Sequence, residues 1–314
     1  MENIILIGTG PMAVDYVKVL TAMSKSFSVI GRGENSANIF KQITDIKPIV
    51  GGIENYILNN SVGKNTYAII ATGTENLMST LLLLVNAGVQ KILIEKPAAI
   101  SIEQLLENEE KLKPFQENIF IAYNRRFYAS VIEAKKLIEE DGGLKSMNFE
   151  FTEWAHRIEP LEKAVGVKEN WFFANSTHVV DLAFFMAGNP KKWASFSKSG
   201  QIAWHEKTNF AGAGITDNEV LFSYLSNWES AGRWTLELLT NKKRIYLKPL
   251  EEIFIQIKGT IALEKHDFDD SLDKEFKPGL FRQVESFLGN ELLLCSLKSH
   301  FYNAKNIYHK ILSA

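Results

Sequence analysis

Cysteine is almost absent, with Cys295 the one thiol in 314 residues. An intrachain disulfide and a cysteine-rich zinc site are thereby excluded, no metal is expected, and a reducing cytoplasm is the simplest compartment. Excess charge is lacking too. The formal net charge is −2, which gives no support to nucleic-acid binding or to an electrostatic membrane anchor. No apolar run nears the length of a bilayer span; residues 81–85, for instance, give way to Asn86. Basic residues are missing ahead of the first apolar run at 4–7, so a strand and not a signal peptide is expected there. Repeats, low-complexity tracts and long linkers are missing as well. What is present is ordinary for a globular chain: 46% hydrophobic and 23% charged residues. The length exceeds that at which one core keeps growing, so two domains are expected.

The apolar run 4–7 leads into Gly8-Thr9-Gly10-Pro11-Met12-Ala13, then into a segment with helical spacing at Val14, Val17, Leu20 and Met23. Strand, glycine-rich turn and helix stand in the order that a dinucleotide site requires. Gly8 permits the tight turn and Gly10 lets the backbone approach a pyrophosphate. Ala13, in the third glycine's place, is small enough for close helix–strand packing. The helix start offers unpaired amides and a positive dipole end to phosphate, with Thr9, Pro11 and Met12 beside it. The second strand, 27–30, ends in Gly31-Arg32-Gly33, where NAD sites usually carry an acid. Arg32 suits a 2′-phosphate, which leans the reading toward NADP, while Glu34 keeps NAD open.

Strands follow at 49–50 and 67–71, a helix at 77–87, a strand from Lys91 ending at Glu95-Lys96-Pro97, a helix opened by Ser101, and a strand at 119–122. This alternation implies a doubly wound parallel sheet. Ala71, Thr72, Gly73 and Asn76 are placed on the cofactor, although a plain N-cap accounts for that turn equally well. Pro97 stops its strand, leaving Glu95 and Lys96 at the carboxyl edge, where ligands of open α/β sheets bind.

The glycine unit at 8–13, Glu95-Lys96-Pro97 and Tyr123-Asn124-Arg125-Arg126-Phe127, in this order and spacing, resemble the glucose–fructose oxidoreductase / inositol dehydrogenase / MocA (Gfo/Idh/MocA) family of NAD(P)-dependent oxidoreductases. The resemblance covers essentially the whole chain. It implies an α/β protein: an N-terminal Rossmann domain with a doubly wound parallel sheet at 1–122, and a C-terminal α+β domain at 123–314 built on a large, mostly antiparallel open sheet. The second domain would serve substrate binding and oligomerisation. The family's lysine beside nicotinamide and reacting hydroxyl maps to Lys96, with Glu95 next to it. Its asparagine and arginine near cofactor and substrate map to Asn124 and Arg125, and Arg126 follows less surely. The resemblance also implies a homo-oligomer.

In the second half a helix is expected at 129–140 and a long strand at 146–157, with Phe149, Phe151 and Ala155 on one side and Thr152, Trp154 and His156 on the other. His156 on such a strand reads chiefly as structural. Asn175, Ser176 and Thr177 are competent N-caps for a helix with apolar residues Val179, Leu182, Ala183 and Met186, stopped by Gly188-Asn189-Pro190. His178 then falls in the first turn, where the dipole favours neutral imidazole, and Asp181 one turn on is expected to orient it. The family places a histidine and aspartate with this spacing here. One departure stands out: many polyol dehydrogenases of the family carry an aspartate four residues before that histidine, and here the residue is Ala174. A carboxylate is thus expected to be missing unless Asn175 substitutes for it. Strands are expected at 193–198, 219–225, 234–240, 244–247 and 253–257. A loop at 201–217 with Trp204, His205 and a Gly212-Ala213-Gly214 hinge is expected to cap the substrate, and packing helices at 281–288 and 299–312 close the chain.

These readings converge on hydride transfer between nicotinamide and a hydroxyl-bearing carbon of a small sugar, cyclitol or nucleotide-linked sugar. Lys96 and His178 are the expected catalytic pair, and Trp171, Asn175 and Asp181 are expected, with Asn124, at the substrate. Two rivals stay open: an NAD-dependent glycosidase of the same family, and a regulatory protein that binds NAD(P) without turnover.

Overall fold

A computed structural model of the chain describes residues 3–314. Contacts divide it into two units: the chain up to Tyr123 together with Leu280–Tyr302, and Asn124–Gly279 together with Asn303–Ala314.

In the first unit, short apolar runs too brief for helices are buried on both faces as parallel strands. They are β1 (Asn3–Ile7), β2 (Phe27–Ile30), β3 (Thr66–Ile70), β4 (Lys91–Ile94) and β5 (Ile119–Ile121). The helices between them include α1 (Pro11–Ala22), α2 (Glu34–Thr44), α3 (Gly52–Asn59) and α4 (Thr74–Asn86). The six-stranded sheet runs from Cys295–Ser296 through β5, β4, β3 and β1 to β2. Every pairing is parallel except that of Cys295–Ser296 with β5. The strand expected at 49–50 reduces to one bridge, Ile30 to Ile49. Ser101 caps its helix by accepting from the Gln104 amide at 3.2 Å.

The sequence reading kept 123–314 together, yet Leu280–Tyr302 packs with the first unit. The cause is apolar and ionic. Phe287 lies 5.9 Å from the Tyr67 ring and 6.5 Å from that of Phe120. Lys91, buried on β4 beneath these rings, pairs with Glu291 at 2.6 Å.

The second unit is built on an eight-stranded sheet. Its strands are β6 (Ser146–Glu150), β7 (Pro190–Lys198), β8 (Asn209–Thr216), β9 (Leu221–Asn227), β10 (Thr235–Leu239), β11 (Lys243–Leu247), β12 (Ile253–Ile257) and β13 (Glu264–His266). The order is β13-β12-β11-β10-β6-β9-β8-β7, antiparallel throughout but for the parallel pair β6–β9. Helices α5 (Ala129–Glu140) and α6 (Thr177–Ala187) accompany the sheet, and Phe149, Phe151, Phe172, Phe210 and Tyr224 form an aromatic core.

Two expectations fail here. The region 201–217 is no continuous cap, because 209–216 is strand β8. Its glycines are packing positions: a Cβ on Gly212 would strike the Tyr224 ring, and one on Gly214 would strike Trp193. The long strand at 146–157 stops at Glu150, after which the chain turns and forms one helical turn, Ala155–Ile158, with His156 exposed.

Candidate active site

In the first unit the turn after β1 is set by close approach. Gly8 has φ +128°, and a Cβ there would run into the Ala71 carbonyl, so only glycine fits. Gly10 faces open space and begins α1 in an extended conformation without a side-chain cap, and Pro11 follows at the first helical position. The result is a helix start with amide donors aimed outward. The cleft before it, about 520 Å³, is lined by Gly8, Thr9, Gly10, Pro11, Met12, Gly31, Arg32, Ala71, Thr72, Gly73 and Asn76. Sequence reasoning named all of these and missed Ser36, Gly52, Ile53 and Thr80, which line the same cleft. The pair Gly51-Gly52, both at positive φ, was the legible signal for Gly52 and Ile53.

Glu95 and Lys96 stand at the carboxyl end of β4, half-buried. The Ala98 amide donates to the Glu95 carbonyl at 3.0 Å, closing a turn around the cis Lys96–Pro97 bond. The buried Tyr16 hydroxyl donates to Glu95 Oε1 at 2.8 Å, and burial together with Glu95 holds that phenol's pKa well above its usual range. His300, fully buried, donates from Nε2 to the Pro97 carbonyl at 3.0 Å. Lys96 therefore rides on a turn pinned from α1 and from the returning C-terminal segment.

In the second unit, a tight turn (Asn124–Phe127) presents the Asn-Arg-Arg residues. Asn124 is buried and donates to the Pro278 carbonyl at 2.9 Å. Arg126 grips Asp181 on α6 through two bonds, Nε to Oδ2 at 2.7 Å and Nη2 to Oδ1 at 2.6 Å. The carboxylate of Asp181, expected at the imidazole one turn back, thus has Arg126, 55 residues away in sequence, as a bidentate partner. Burial raises the Asp181 pKa, with Arg126 opposing.

The expected N-caps also fail. Residues Phe172–Ser176 form a π-helical turn that runs straight into α6, and Ser176 has helical dihedrals with no capping bond. Thr177 donates back to the Phe173 carbonyl at 2.8 Å. His178 is thus not in the first turn of a helix, and the dipole argument for its neutrality lapses. The residue is buried, its ring 6.0 Å from that of Trp234. Trp171 is buried against Trp204, at 6.2 Å. His205, expected in a cap, is a buried packing residue: its Nδ1 is 2.6 Å from the Lys207 carbonyl, and burial lowers its pKa.

Asn175 and Ser176 turn instead to a carboxylate that sequence reasoning missed. Glu153 is 1% exposed. It accepts from Asn175 Nδ2 at 3.1 Å on each oxygen and from Ser176 Oγ at 2.8 Å, and Arg233 Nη1 stands 3.9 Å away. A buried carboxylate from a different element thus stands against the two residues that follow Ala174. The signal was parity: in the pattern Phe149, Phe151, Ala155, position 153 falls on the buried side. Burial raises the Glu153 pKa, with Ser176 and Arg233 opposing. The fold therefore favours the protonated acid. That contribution is full below the ordinary carboxylate range and is lost as pH rises through the raised value. Glu153→Gln is expected to gain stability on the wild type from mildly acidic to mildly alkaline buffer, read by urea unfolding at each pH. A difference that is flat with pH would contradict this.

Among the described residues, no cluster of three or more metal-ligating side chains occurs, and no helix is long and apolar enough to cross a membrane. No protein-family model and no curated protein matches the chain. Solved structures do match in three dimensions. Levoglucosan dehydrogenase in complex with NADH and L-sorbose superposes with a TM-score of 0.75 at 17% identity, over 99% of this chain and 96% of its own. An oxidoreductase from Agrobacterium radiobacter in complex with NAD+, L-tartaric acid and magnesium gives 0.76 at 13%, over 99% and 96%. The WlbA dehydrogenase from Chromobacterium violaceum, in complex with NADH and UDP-GlcNAcA, gives 0.71 at 14%, over 100% and 93%. The chain, a parallel-sheet N-terminal domain followed by a large and mostly antiparallel sheet, has the fold of these oxidoreductases.

Proposed function

We propose that the protein is an NAD(P)-dependent oxidoreductase of the Gfo/Idh/MocA family, acting on a hydroxyl-bearing carbon of a sugar, cyclitol or nucleotide-linked sugar. The observation that carries this is the cleft at the start of α1, where Gly8 is held against Ala71 and eleven of the residues named for dinucleotide binding, though not Glu95, Lys96 or Arg125, line one cavity. Gly10 and the α1 amides would hold the pyrophosphate, and Thr72, Gly73 and Asn76 the nicotinamide side. Arg32 and Ser36, together on the cleft wall, favour a 2′-phosphate and hence NADP. The bound nicotinamide supplies the hydride acceptor or donor.

Lys96 polarises or deprotonates the substrate hydroxyl, and His178 acts as general base or proton relay. Asn124, Trp171 and Asn175 shape the sugar site, with Glu153 orienting Asn175. Arg125 approaches the cofactor. Asp181 acts through Arg126. The division after Tyr123 supports a nucleotide-binding part close to the expected 1–122 and a substrate part over most of the expected 123–314, with 280–302 joining the former. Phe196 and Leu225, 68% and 61% exposed, both register with Ala211 and so share one sheet face. That apolar face favours a homo-oligomer. The single buried thiol suits a reducing cytoplasm.

A screen of sugars, deoxysugars and nucleotide-linked sugars with NADP and NAD, followed by nicotinamide absorbance, tests the reading. Net reduction or oxidation with at least one sugar is expected, with NADP preferred. Sugar consumption without net absorbance change would overturn it in favour of a glycosidase, and tight cofactor binding with no turnover in favour of a regulator.

A further inference from the structure

Beside His178 the second unit gathers two guanidinium groups on one indole. Trp234, 6% exposed, is contacted by two guanidinium groups: the Cζ of Arg125 lies 4.5 Å from its ring centre and that of Arg233 4.6 Å. Arg233 also lies 4.6 Å over Trp154, whose indole N–H is fixed to the Gly232 carbonyl at 2.8 Å. Two indoles thus hold one guanidinium, whose planar and weakly hydrated form favours aromatic contact.

The donors of both guanidinium groups are under-used. Arg125 makes one long bond, Nη1 to Asn124 Oδ1 at 3.3 Å, and its Nε is buried with no hydrogen-bond partner. Burial lowers its pKa; Tyr128, Glu251 and Glu153 oppose this, and the nearby Arg233 adds a smaller push in the lowering direction. Among the described residues Arg233 pairs with Glu153 alone, at 3.9 Å, and that carboxyl group already accepts from Asn175 and Ser176. Like charges on one ring repel, and a buried donor without a partner costs free energy. An oxyanion would relieve both faults at once, because guanidinium edges match carboxylate and phosphoryl oxygens in pairs. Packing alone would be served as well by one arginine on the ring.

We propose that Arg125 and Arg233, arrayed on Trp234, form a subsite for an anionic oxygen group, carboxylate or phosphoryl, carried by the substrate. This deepens the oxidoreductase reading and rests on it for the word substrate: the sugar accepted would be a sugar acid or a phosphorylated or nucleotide-linked sugar, its charge anchored near His178.

The test uses the full chain with NADH bound and titrates D-glucuronate, D-glucose 6-phosphate and D-glucose by calorimetry. At least one anionic sugar is expected to bind about tenfold or more tightly than glucose, a difference of about 1.4 kcal/mol. Which anion wins distinguishes carboxylate from phosphoryl. Arg233→Gln is expected to abolish the preference with NADH affinity unchanged, and Arg233→Lys to restore part of it. Arg233 is 44% exposed, so both variants should fold, which far-ultraviolet circular dichroism checks. Equal affinity for all three sugars, or a preference that survives Arg233→Gln, would overturn the subsite. Loss of NADH affinity in Arg233→Gln would also overturn it, making the cofactor the anion held. Anion preference without turnover on any sugar would support the subsite and sink the oxidoreductase reading, so the two failures are distinct.

Discussion

Replacing Lys96 with alanine is expected to cut turnover about a hundredfold or more while NAD(P)H still binds. The magnitude is that of a positioned acid or base removed from the proton-transfer step. The selectivity follows from how the turn is held. Its bonds come from the Ala98 amide, from Tyr16 on Glu95 and from His300 on Pro97, so deleting the ammonium removes none of them. The cofactor cleft is lined by residues of the β1, β2 and β3 turns and of the helices beside them, with Lys96 outside it. The affinity for NADH, read by fluorescence titration, should therefore stay within a few-fold of wild type, while kcat collapses. Lys96→Arg should rescue little, because a guanidinium stays protonated and cannot exchange the proton. Unchanged kcat in Lys96→Ala would falsify the assignment.

The nucleotide half was legible because its signals are local. Buried parallel strands read as apolar runs, and a glycine at positive φ against a neighbouring strand reads as glycine. What escaped was long-range. A two-residue strand such as Cys295–Ser296 has no period, and its place beside β5 is decided by Phe287 and Glu291 packing on β3, β4 and β5. Gly212 and Gly214 carried a turn signal that aromatic packing overrode. In the catalytic half, spacing put His178 and Asp181 on one side of α6, but spacing cannot say which neighbour takes the carboxylate. Arg126 takes the carboxylate in two bonds because its fork meets both oxygens. Glu153 was readable by parity, since the expected strand ran through it to 157, although the strand itself ends three residues earlier, at Glu150.

The Arg126–Asp181 pair allows a second large effect to be set against the first. Asp181→Ala is expected to destabilise the protein by about 3–5 kcal/mol, because it strands a guanidinium in a buried site. Arg126 has no easy escape to water: its side chain is 10% exposed and its guanidinium lies 4.7 Å from the Phe185 ring. Urea unfolding of the whole chain should show the loss as a transition at lower denaturant. The double variant Arg126→Met/Asp181→Leu should recover most of it, since no charge is then left unpaired and the volume is filled. Turnover measured on folded protein separates the two roles open to Asp181. If the carboxylate anchors the Asn124–Phe127 turn, the double variant regains stability together with much of its kcat, because His178 never depended on it. If the carboxylate orients His178, stability returns in the double variant but kcat does not, and the reading of Asp181 as Arg126's anchor would be lost.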